Sequence, residues 1–212
     1  MSRLYLSLFK RALDLSLSMA GLIVALPLLV LCPIAIKLDS PGPGFFRQTR
    51  IGRHGRPFVI FKFRTMFVGS GTGQVKLTVG GDPRVTRVGR WLRSTKLDEI
   101  PQLFNVLRGD MSLVGPRPEL PEYVAKYTPN QKRILEFMPG ITGPAALGFI
   151  REEELLVGQA NPETFYRHSI LPRKLAVDLA YFTKASFSHD LWLLLLTVYR
   201  VLRHAQNSYP NN

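Results

Sequence analysis

The sequence predicts a mostly helical α+β protein in which an N-terminal apolar helix precedes one compact domain. Three features predict this class: a long uncharged run near the N-terminus, two short segments rich in aromatic and β-branched residues, and helical patterns over most of the remainder. With 212 residues, 46% of them apolar, the chain can bury one core and is too apolar to be disordered. It contains no repeat with a period of about 20 to 50 residues, which excludes a solenoid or a propeller.

The uncharged run covers residues 15–36 and has the length of a membrane helix, since its 22 residues would cross a hydrocarbon core of roughly 30 Å. Basic residues lie on both sides, with Lys10 and Arg11 before the run and Lys37 after it, so the positive-inside preference draws both flanks to the cytoplasm. Pro27, near the midpoint, removes a backbone hydrogen bond and bends a helix. We therefore expect residues 1–38 to form a re-entrant membrane helix bent at Pro27; an ordinary transmembrane anchor is the alternative.

The rest of the chain is predicted to form a compact cytosolic domain over residues 39–206 and a short tail over residues 207–212. Residues 45–52 and 57–65 predict a β-hairpin, the one small sheet that the pattern indicates, and the Gly/Thr/Ser-rich residues 69–81 predict a mobile loop. Helical patterns begin near residue 88 and recur over residues 98–107, 118–127, 129–137 and 171–205. Residues 191–199 predict an interfacial amphipathic helix or, nearly as well, a helix of the core.

The charge of the chain is concentrated in one segment. The 28 Lys and Arg exceed the 15 Asp and Glu by 13, and residues 47–108 carry +10 of this net charge. An anionic ligand is therefore expected, and nucleic acid, an anionic membrane surface and a phosphorylated small molecule all satisfy the charge. The single cysteine, Cys32, excludes an internal disulfide, and the four scattered histidines argue against a structural zinc site.

Asp98 and Glu99 form an adjacent acidic pair inside this basic segment. One interpretation is structural, because acids are common at helix starts and the local pattern matches a capping box. Pro101 belongs in the first helical positions, which places the N-cap at Asp98 or later and both carboxylates at the positive end of a helix. An ionised carboxylate there, beside Arg93 and Lys96, suits a nucleophile or a magnesium ligand.

Basic side chains elsewhere are candidates for binding a phosphate. Lys62 and Arg64 alternate with Phe63 in the second predicted strand and share one face, where they could clamp a diphosphate; a solvated strand face is the alternative. Arg117 lies between two prolines, which pre-organises it for a phosphate, although a helix-entry turn explains the motif nearly as well. The acidic run at residues 152–154 is interpreted as a solvated face.

Three motifs in order carry a family resemblance: KFRTM at residues 62–66, TRVGRWLRSTKLDEIPQLFNVLRGDMSLVGPRPE at residues 86–119, and PGITG at residues 139–143. Together they resemble the bacterial sugar transferases, the monotopic phosphoglycosyl transferases, and the resemblance extends from Lys10 to about Leu202. It implies an enzyme that moves a phosphosugar from a UDP-sugar to a polyprenyl (undecaprenyl) phosphate and releases UMP. This reaction would be the first membrane step of glycoconjugate biosynthesis, at the cytoplasmic face of the bacterial inner membrane.

The resemblance also implies roles for individual residues. Asp98 would be the nucleophile that forms a covalent phosphosugar intermediate, and Asp98 and Glu99 would bind Mg²⁺. Lys62 and Arg93 would contact phosphate, and Pro27 would bend the re-entrant helix. Two stretches depart from the family pattern: Leu26 stands where many relatives have Ser, and residues 144–149 differ after PGITG, so the resemblance implies no particular sugar.

The expected partners are therefore a UDP-sugar, polyprenyl phosphate and membrane phospholipids, without nucleic acid, and a homodimer is left open. Two other classes remain as alternatives. A membrane-tethered nucleic-acid-binding module would explain the charge, but the sequence has no recognisable stacking platform or recognition helix. A non-catalytic basic membrane scaffold would explain the apolar run, but it leaves the acidic pair without a role.

Overall fold

The computed structural model describes residues 8–70, 77–183 and 185–207, and it confirms the mostly helical α+β class. Parts of three expected segments lie outside the described residues: the first seven residues of the chain, positions 71–76 of the predicted mobile loop, and the tail beyond Asn207. The N-terminal run forms two helices, α1 (Lys10–Val24) and α2 (Leu26–Asp39), which meet at an angle of 58°. Pro27 is the second residue of α2, where its missing N–H costs no hydrogen bond within that helix.

The bent pair is apolar on its outer surface. Among the described residues no single helix is long and apolar enough to cross a bilayer, whereas α1 and α2 together satisfy that test of length and composition. Large apolar side chains are exposed along both helices: Leu17, Met19, Ile23, Val24, Leu26, Val30, Leu31, Ile34 and Leu38. The inner face of α2 buries Cys32 and Ile36 against Phe63 and Leu92 in a small core of its own.

The predicted β-hairpin is confirmed. Strand β1 (Phe45–Ile51) pairs antiparallel with β2 (Pro57–Phe63) in the register that places Phe45 opposite Phe63. The expectation of a single sheet is wrong, because β3 (Ser112–Val114) pairs in parallel with β4 (Gly140–Thr142). Three-residue strands are too short to show an alternating pattern in the sequence. At this pairing the backbones touch: a Cβ on Gly140 would lie 2.0 Å from the amide nitrogen of Gly115.

Most of the domain consists of short helices. In chain order they are α3 (Arg87–Ser94), α4 (Gln102–Arg108), α5 (Pro121–Val124), α6 (Pro129–Lys132), α7 (Pro144–Gly148), α8 (Glu152–Leu155), α9 (Pro162–Phe165), α10 (Leu171–Phe182) and α11 (Phe187–Asn207). Single 3₁₀ turns occupy Arg53–Gly55, Leu97–Glu99 and Arg133–Glu136, and a π-helical turn, Tyr166–Ile170, leads into α10. The single helix expected over residues 171–205 is two helices, because the chain leaves the helical conformation after Phe182.

The interpretation of residues 191–199 as a helix of the core is confirmed for one face of the helix, and the interfacial interpretation stays a prediction. These residues belong to α11, in which Leu193 is 2% exposed and packs into the main core. Trp192, Leu195 and Tyr199 are exposed on the same helix. One face of α11 therefore stabilises the domain, while the other is apolar and open.

Three polar side chains fasten α1 to the domain. Asp14, 4% exposed, accepts a 3.0 Å hydrogen bond from the backbone N–H of Leu113. Lys10 forms an ion pair with Asp190 of α11, and Arg11 donates hydrogen bonds to two backbone carbonyls at the end of α4. The first turns of α1 are therefore held against the domain that carries the acidic pair.

Candidate active site

The acidic pair lies in a tight turn rather than at a helix cap. The chain leaves α3, passes through Lys96 in the left-handed conformation (φ 57°), and enters the 3₁₀ turn Leu97–Glu99. The N-cap of α4 is Pro101, which confirms the expectation that the N-cap lies at Asp98 or later. Neither Lys96, the N-cap of the 3₁₀ turn, nor Pro101 makes a side-chain capping hydrogen bond. The interpretation of Asp98 and Glu99 as capping residues is therefore wrong. A left-handed non-glycine residue is strained, and such strain is common at functional sites.

Glu99 is held by two cations. Its Oε1 accepts hydrogen bonds of 2.7 Å from Lys62 Nζ and 2.6 Å from Arg117 Nη2, while its Oε2 lies 3.4 Å from Arg117 Nη1. Burial by itself would raise the pKa of this carboxyl, but the charges of Arg117 and Lys62 outweigh burial and hold the pKa well below its usual range. Glu99 is therefore ionised and fixed in orientation.

Asp98 is buried but its carboxylate is not committed to a partner. The residue is 8% exposed, and its nearest cation is Lys62, with 4.0 Å between Nζ and Oδ2. Within the part of the chain that the structure describes, the Asp98 carboxylate accepts no hydrogen bond. Burial raises the pKa of Asp98, with Lys62 opposing this shift and Glu99 adding to it. The two adjacent acids thus differ: Glu99 accepts close hydrogen bonds from two cations, whereas Asp98 is buried and has the longer 4.0 Å ion pair with Lys62.

Arg117 pairs with Glu99 in the structure, and the phosphate binding that its motif suggested stays a prediction. The Pro-Arg-Pro turn follows β3 and directs the guanidinium to Glu99, with 35% of the side chain exposed. Its pKa is raised, chiefly by the negative charge of Glu99. The structure therefore brings together Lys62 from β2, Asp98 and Glu99 from the turn before α4, and Arg117 from the loop after β3.

Arg93 lies at the end of α3 and forms an ion pair with an acidic residue that the sequence did not suggest as its partner. Its guanidinium is paired with Glu153 of α8, and its Nη1 lies 3.5 Å from Thr65 Oγ1. The interpretation of residues 152–154 as a solvated face fits Glu153 and Glu154, whose side chains are 45% and 60% exposed, but not Glu152. Glu152 accepts a 2.7 Å hydrogen bond from Lys174.

Arg64 is not part of the phosphate-facing surface that the strand pattern predicted. It is 5% exposed, and its guanidinium donates to the backbone carbonyls of Ile36, Ser40 and Pro41 at the end of α2. The prediction that it shares a diphosphate clamp with Lys62 therefore does not fit the structure. The strand ends at Phe63, and Arg64 turns toward the orphan carbonyls that a helix C-terminus presents.

A cavity of about 410 Å³ opens beside the acidic pair. Glu99, Arg117 and Lys96 line it, whereas Asp98 does not. Its apolar wall includes Leu97, Ile100, Leu103, Ile141, Leu147 and Phe149. A space of this size with a charged edge and an apolar wall suits a ligand that is itself part polar and part apolar.

Lys174 also lines the cavity and was missed in the sequence. It is 6% exposed, and its Nζ lies 2.7 Å from Glu152 Oε2, 3.2 Å from the hydroxyl of Tyr166 and 3.6 Å from Glu119 Oε1. The Tyr166 hydroxyl in turn donates a 2.6 Å hydrogen bond to Glu119. No local sequence pattern predicts this hydrogen-bond network, because its members come from three segments that are distant in the sequence.

The residues present fit one magnesium ion that is coordinated mainly by substrate phosphates and by waters. Among the described residues there is no group of three or more His, Cys, Asp or Glu that could hold a metal. Mg²⁺, however, often binds through one or two carboxylates plus substrate phosphates and waters. Asp98 offers an uncommitted carboxylate, and Glu99 Oε2 has only the 3.4 Å contact with Arg117.

Comparison with known proteins agrees with this geometry. Residues 5–204 match the family model described as bacterial sugar transferase. The chain belongs to this family. The match covers the bent helix pair, the acidic turn and the Pro-Arg-Pro motif together, so the family extends over the whole site.

Several bacterial proteins named as sugar-phosphate transferases are similar to this chain. A UDP-glucose:undecaprenyl-phosphate glucose-1-phosphate transferase of Caulobacter vibrioides is 42% identical over 98% of this chain and 74% of its own length. An undecaprenyl-phosphate glucose phosphotransferase of Komagataeibacter xylinus is also 42% identical, over 90% of this chain but 35% of its own length. A transferase of Escherichia coli with the same name as the Caulobacter protein is 38% identical, over 91% of this chain and 40% of its own length. The chain therefore spans less than half of the last two relatives.

Proposed function

We propose that this chain is a phosphoglycosyl transferase that moves a phosphosugar from a UDP-sugar to undecaprenyl phosphate and releases UMP. Support comes from the names of the three relatives, two of which state a UDP-sugar donor and all of which state an undecaprenyl-phosphate acceptor. Further support comes from a site in which two carboxylates lie among cations suited to a diphosphate. The reaction would begin the assembly of a polysaccharide or a glycoprotein glycan.

Asp98 is the nucleophile in this proposal, and the observation that carries it is the contrast between the two acids. One Asp98 oxygen attacks the β-phosphorus of the UDP-sugar; the new O–P bond forms as the bond to the UMP oxygen breaks, and UMP leaves with that electron pair. An oxygen of undecaprenyl phosphate then attacks the same phosphorus and releases Asp98 as a carboxylate. A buried carboxylate without hydrogen bonds is more nucleophilic than one that already accepts from two cations, as Glu99 does.

Lys62 and Arg117 stabilise the negative charge that both steps concentrate on the transferred phosphoryl group. Glu99 holds these two cations in place, with 2.7 and 2.6 Å hydrogen bonds to its Oε1. Mg²⁺, when bound at Asp98 and Glu99, would neutralise part of the charge of the diphosphate. Arg93 joins the phosphate-binding set once its pairing with Glu153 is broken.

The bent pair α1–α2 enters the cytoplasmic leaflet of the bacterial inner membrane and returns to the same side. Its exposed surface is apolar, and both of its ends contact the same domain: Lys10 reaches Asp190, and Arg64 reaches the last turn of α2. A helix pair whose two ends are attached to one domain cannot place them on opposite sides of a bilayer. This arrangement lets one site meet a soluble nucleotide and the phosphate of a membrane-embedded lipid.

The topology is tested by labelling a cysteine placed at Ser2 in a Cys32→Ala background with a membrane-impermeant maleimide. Residue 2 is expected to be inaccessible from the periplasm, and Pro27→Ala, which allows a straight helix, is expected to increase its periplasmic labelling. Equal periplasmic labelling of both proteins would indicate an ordinary transmembrane anchor and refute the re-entrant arrangement.

The reaction is tested by intact-protein mass spectrometry after mixing the protein with Mg²⁺ and a panel of UDP-sugars, without lipid. A competent donor is expected to leave one phosphosugar on the chain and release UMP, and undecaprenyl phosphate is expected to remove the adduct. Asp98→Asn should abolish both events, since an amide is a poor nucleophile. Glu154→Gln, an exposed acid outside the site, serves as the control and should react normally. UMP release without added mass, or an adduct that survives in Asp98→Asn, would exclude Asp98 as the nucleophile.

A further inference from the structure

The end of helix α2 contacts both the chain that carries Lys62 and the helix that leads to the acidic pair, Asp98 and Glu99. Arg64 reaches it from β2, with Nη2 hydrogen bonds of 3.2 Å to the carbonyl of Ile36, 2.6 Å to the carbonyl of Ser40 and 2.9 Å to the Ser40 hydroxyl. Its Nη1 donates a 2.7 Å hydrogen bond to the carbonyl of Pro41. One guanidinium thus binds three carbonyls at and just after the C-terminus of α2, where the last carbonyls of a helix lack intrahelical partners; the carbonyl of Ile36 also accepts a 3.1 Å hydrogen bond from the backbone N–H of Ser40.

Arg64 follows Lys62 by two residues, and the chain between them has little freedom. Phe63 is 1% exposed and packs in the small core that includes Ile36 of α2. The backbone N–H of Arg64 donates a 3.0 Å hydrogen bond to the carbonyl of Gly44. A displacement of Arg64 relative to α2 is therefore transmitted to the backbone of Lys62, whose ammonium lies against Glu99.

The same helix end also holds α3, on the other side of the site. Asp39, the last residue of α2, accepts a 3.0 Å hydrogen bond from the backbone N–H of Val88 in the first turn of α3. α3 ends at Ser94 and is followed by Thr95, Lys96 and the acidic turn. The end of α2 therefore fixes the position of both the strand that carries Lys62 and the helix that leads to Asp98.

The space around Arg64 is shaped for this guanidinium. A Cβ at Gly42, where φ is +121°, would lie 2.1 Å from Arg64 Nη1. The planar fork of Arg presents several N–H donors in fixed directions, whereas Lys has a single ammonium on a shorter stem. A lysine at this position therefore cannot reproduce the same set of contacts.

We propose that Arg64 is a positioning residue for the transfer reaction: it anchors the end of β2 to the C-terminus of α2 and thereby holds Lys62 between Glu99 and Asp98. This inference rests on the proposed function for its kinetic test. Arg64 does not touch the substrate; it acts through Lys62. The bent apolar helix then has a second role besides attachment, since its end sets the place of a cation of the site.

The kinetic test is a double-mutant cycle in nanodiscs of stated lipid composition, with UMP release as the readout. Arg64→Ala and Lys62→Ala are each expected to lower the rate by roughly tenfold to a hundredfold, the effect of losing one charge-assisted contact. Because Arg64 acts through Lys62, the double variant should be no slower than Lys62→Ala within about threefold. Arg64→Lys should be slowed at least tenfold, and the control Arg56→Ala, an exposed arginine of the same hairpin, should be unchanged. The proposal would be refuted if the rate of UMP release in the double variant fell by the product of the two single-variant effects.

A second readout does not depend on turnover. Lysine acetylation, followed by peptide mass spectrometry, measures the accessibility of Lys62, whose side chain is 18% exposed in its ion pairs. Arg64→Ala and Arg64→Lys should raise the acetylation rate of Lys62 severalfold. In the same variants the acetylation rate of Lys10, which is paired with Asp190, should not change, and Arg56→Ala should leave the rate at Lys62 unchanged. An unchanged rate at Lys62 in folded Arg64 variants would overturn the inference. If the wild-type protein released no UMP from any donor, the proposed function would fail while this labelling result still decided the role of Arg64.

Discussion

Glu99→Gln removes the negative charge that Lys62 and Arg117 share. Losing one partner of a buried ion pair costs about 3 to 5 kcal/mol, because the remaining charge is left desolvated. Two features of the site reduce this value: the glutamine oxygen still accepts a hydrogen bond, and Arg117 is 35% exposed and can be hydrated. We therefore expect a loss of about 2 to 3 kcal/mol in the free energy of unfolding, or a fall in Tm of roughly 5 to 10 °C for a chain of this size.

The assay is thermal unfolding in nanodiscs at pH 7, with Glu154→Gln as the matched control. Glu154→Gln removes the same charge, but this side chain is 60% exposed and forms a 3.6 Å ion pair with Arg151, so the Tm of this variant should differ from that of the wild type by about 1 °C or less. The double variant Glu99→Gln/Lys62→Met removes the uncompensated ammonium and should recover part of the loss. Equal Tm values for Glu99→Gln and Glu154→Gln would refute the conclusion that Glu99 organises the cations.

The pH dependence of the same variant has a defined sign. The pKa of Glu99 lies well below its usual range, because the charges of Arg117 and Lys62 outweigh the opposing effect of burial. A depressed carboxyl pKa stabilises the folded state above the pKa of the unfolded chain, and that stability is lost as the pH falls through the folded-state pKa. The stability difference between wild type and Glu99→Gln should therefore be full at pH 7 and shrink below about pH 4.

Three further predictions concern other side chains. Burial raises the pKa of Asp178 to about 7, so the contribution of this residue to stability is lost as the pH rises through that value. Relative to Asp178→Asn, the free energy of unfolding of the wild type should fall by about 2 to 3 kcal/mol between pH 5 and pH 8 in thermal unfolding. A constant difference between the two proteins would contradict this. Glu153→Gln frees Arg93 from a carboxylate that competes with phosphate, so the KM for the UDP-sugar should fall about threefold to tenfold, while Glu154→Gln leaves it unchanged. Lys96→Gly should be about 1 kcal/mol more stable than Lys96→Ala in chemical unfolding, because φ at this position is 57°; the reverse order would mean that the left-handed turn is not required.

Local signals in the sequence predicted the hairpin, several of the helices and the centre of the site. Enrichment in aromatic and β-branched residues predicted the hairpin, because these side chains favour the extended conformation of a strand. Glycine and proline marked the turns, and the ordered motifs gave the family that the comparison confirmed. Asp98 and Glu99 are adjacent in the chain, so any fold brings them together. Lys62 and Arg117 were suggested by strand alternation and by a rigid proline turn, and both lie at the acidic pair.

The partners of the remaining charges were decided only by the tertiary structure. Strand alternation placed Arg64 beside Lys62, but the open carbonyls at the end of α2, more than 20 residues earlier, bind its guanidinium instead. Glu153 and Lys174 contact residues from distant segments, and the parallel pairing of β3 with β4 depends on two glycines that allow their backbones to touch. Long charged side chains can turn toward several neighbours, and the sequence shows only those nearby in the chain. The packing of distant segments determines which neighbour is present, because a buried charge must find its counter-charge or a backbone dipole within a few ångströms.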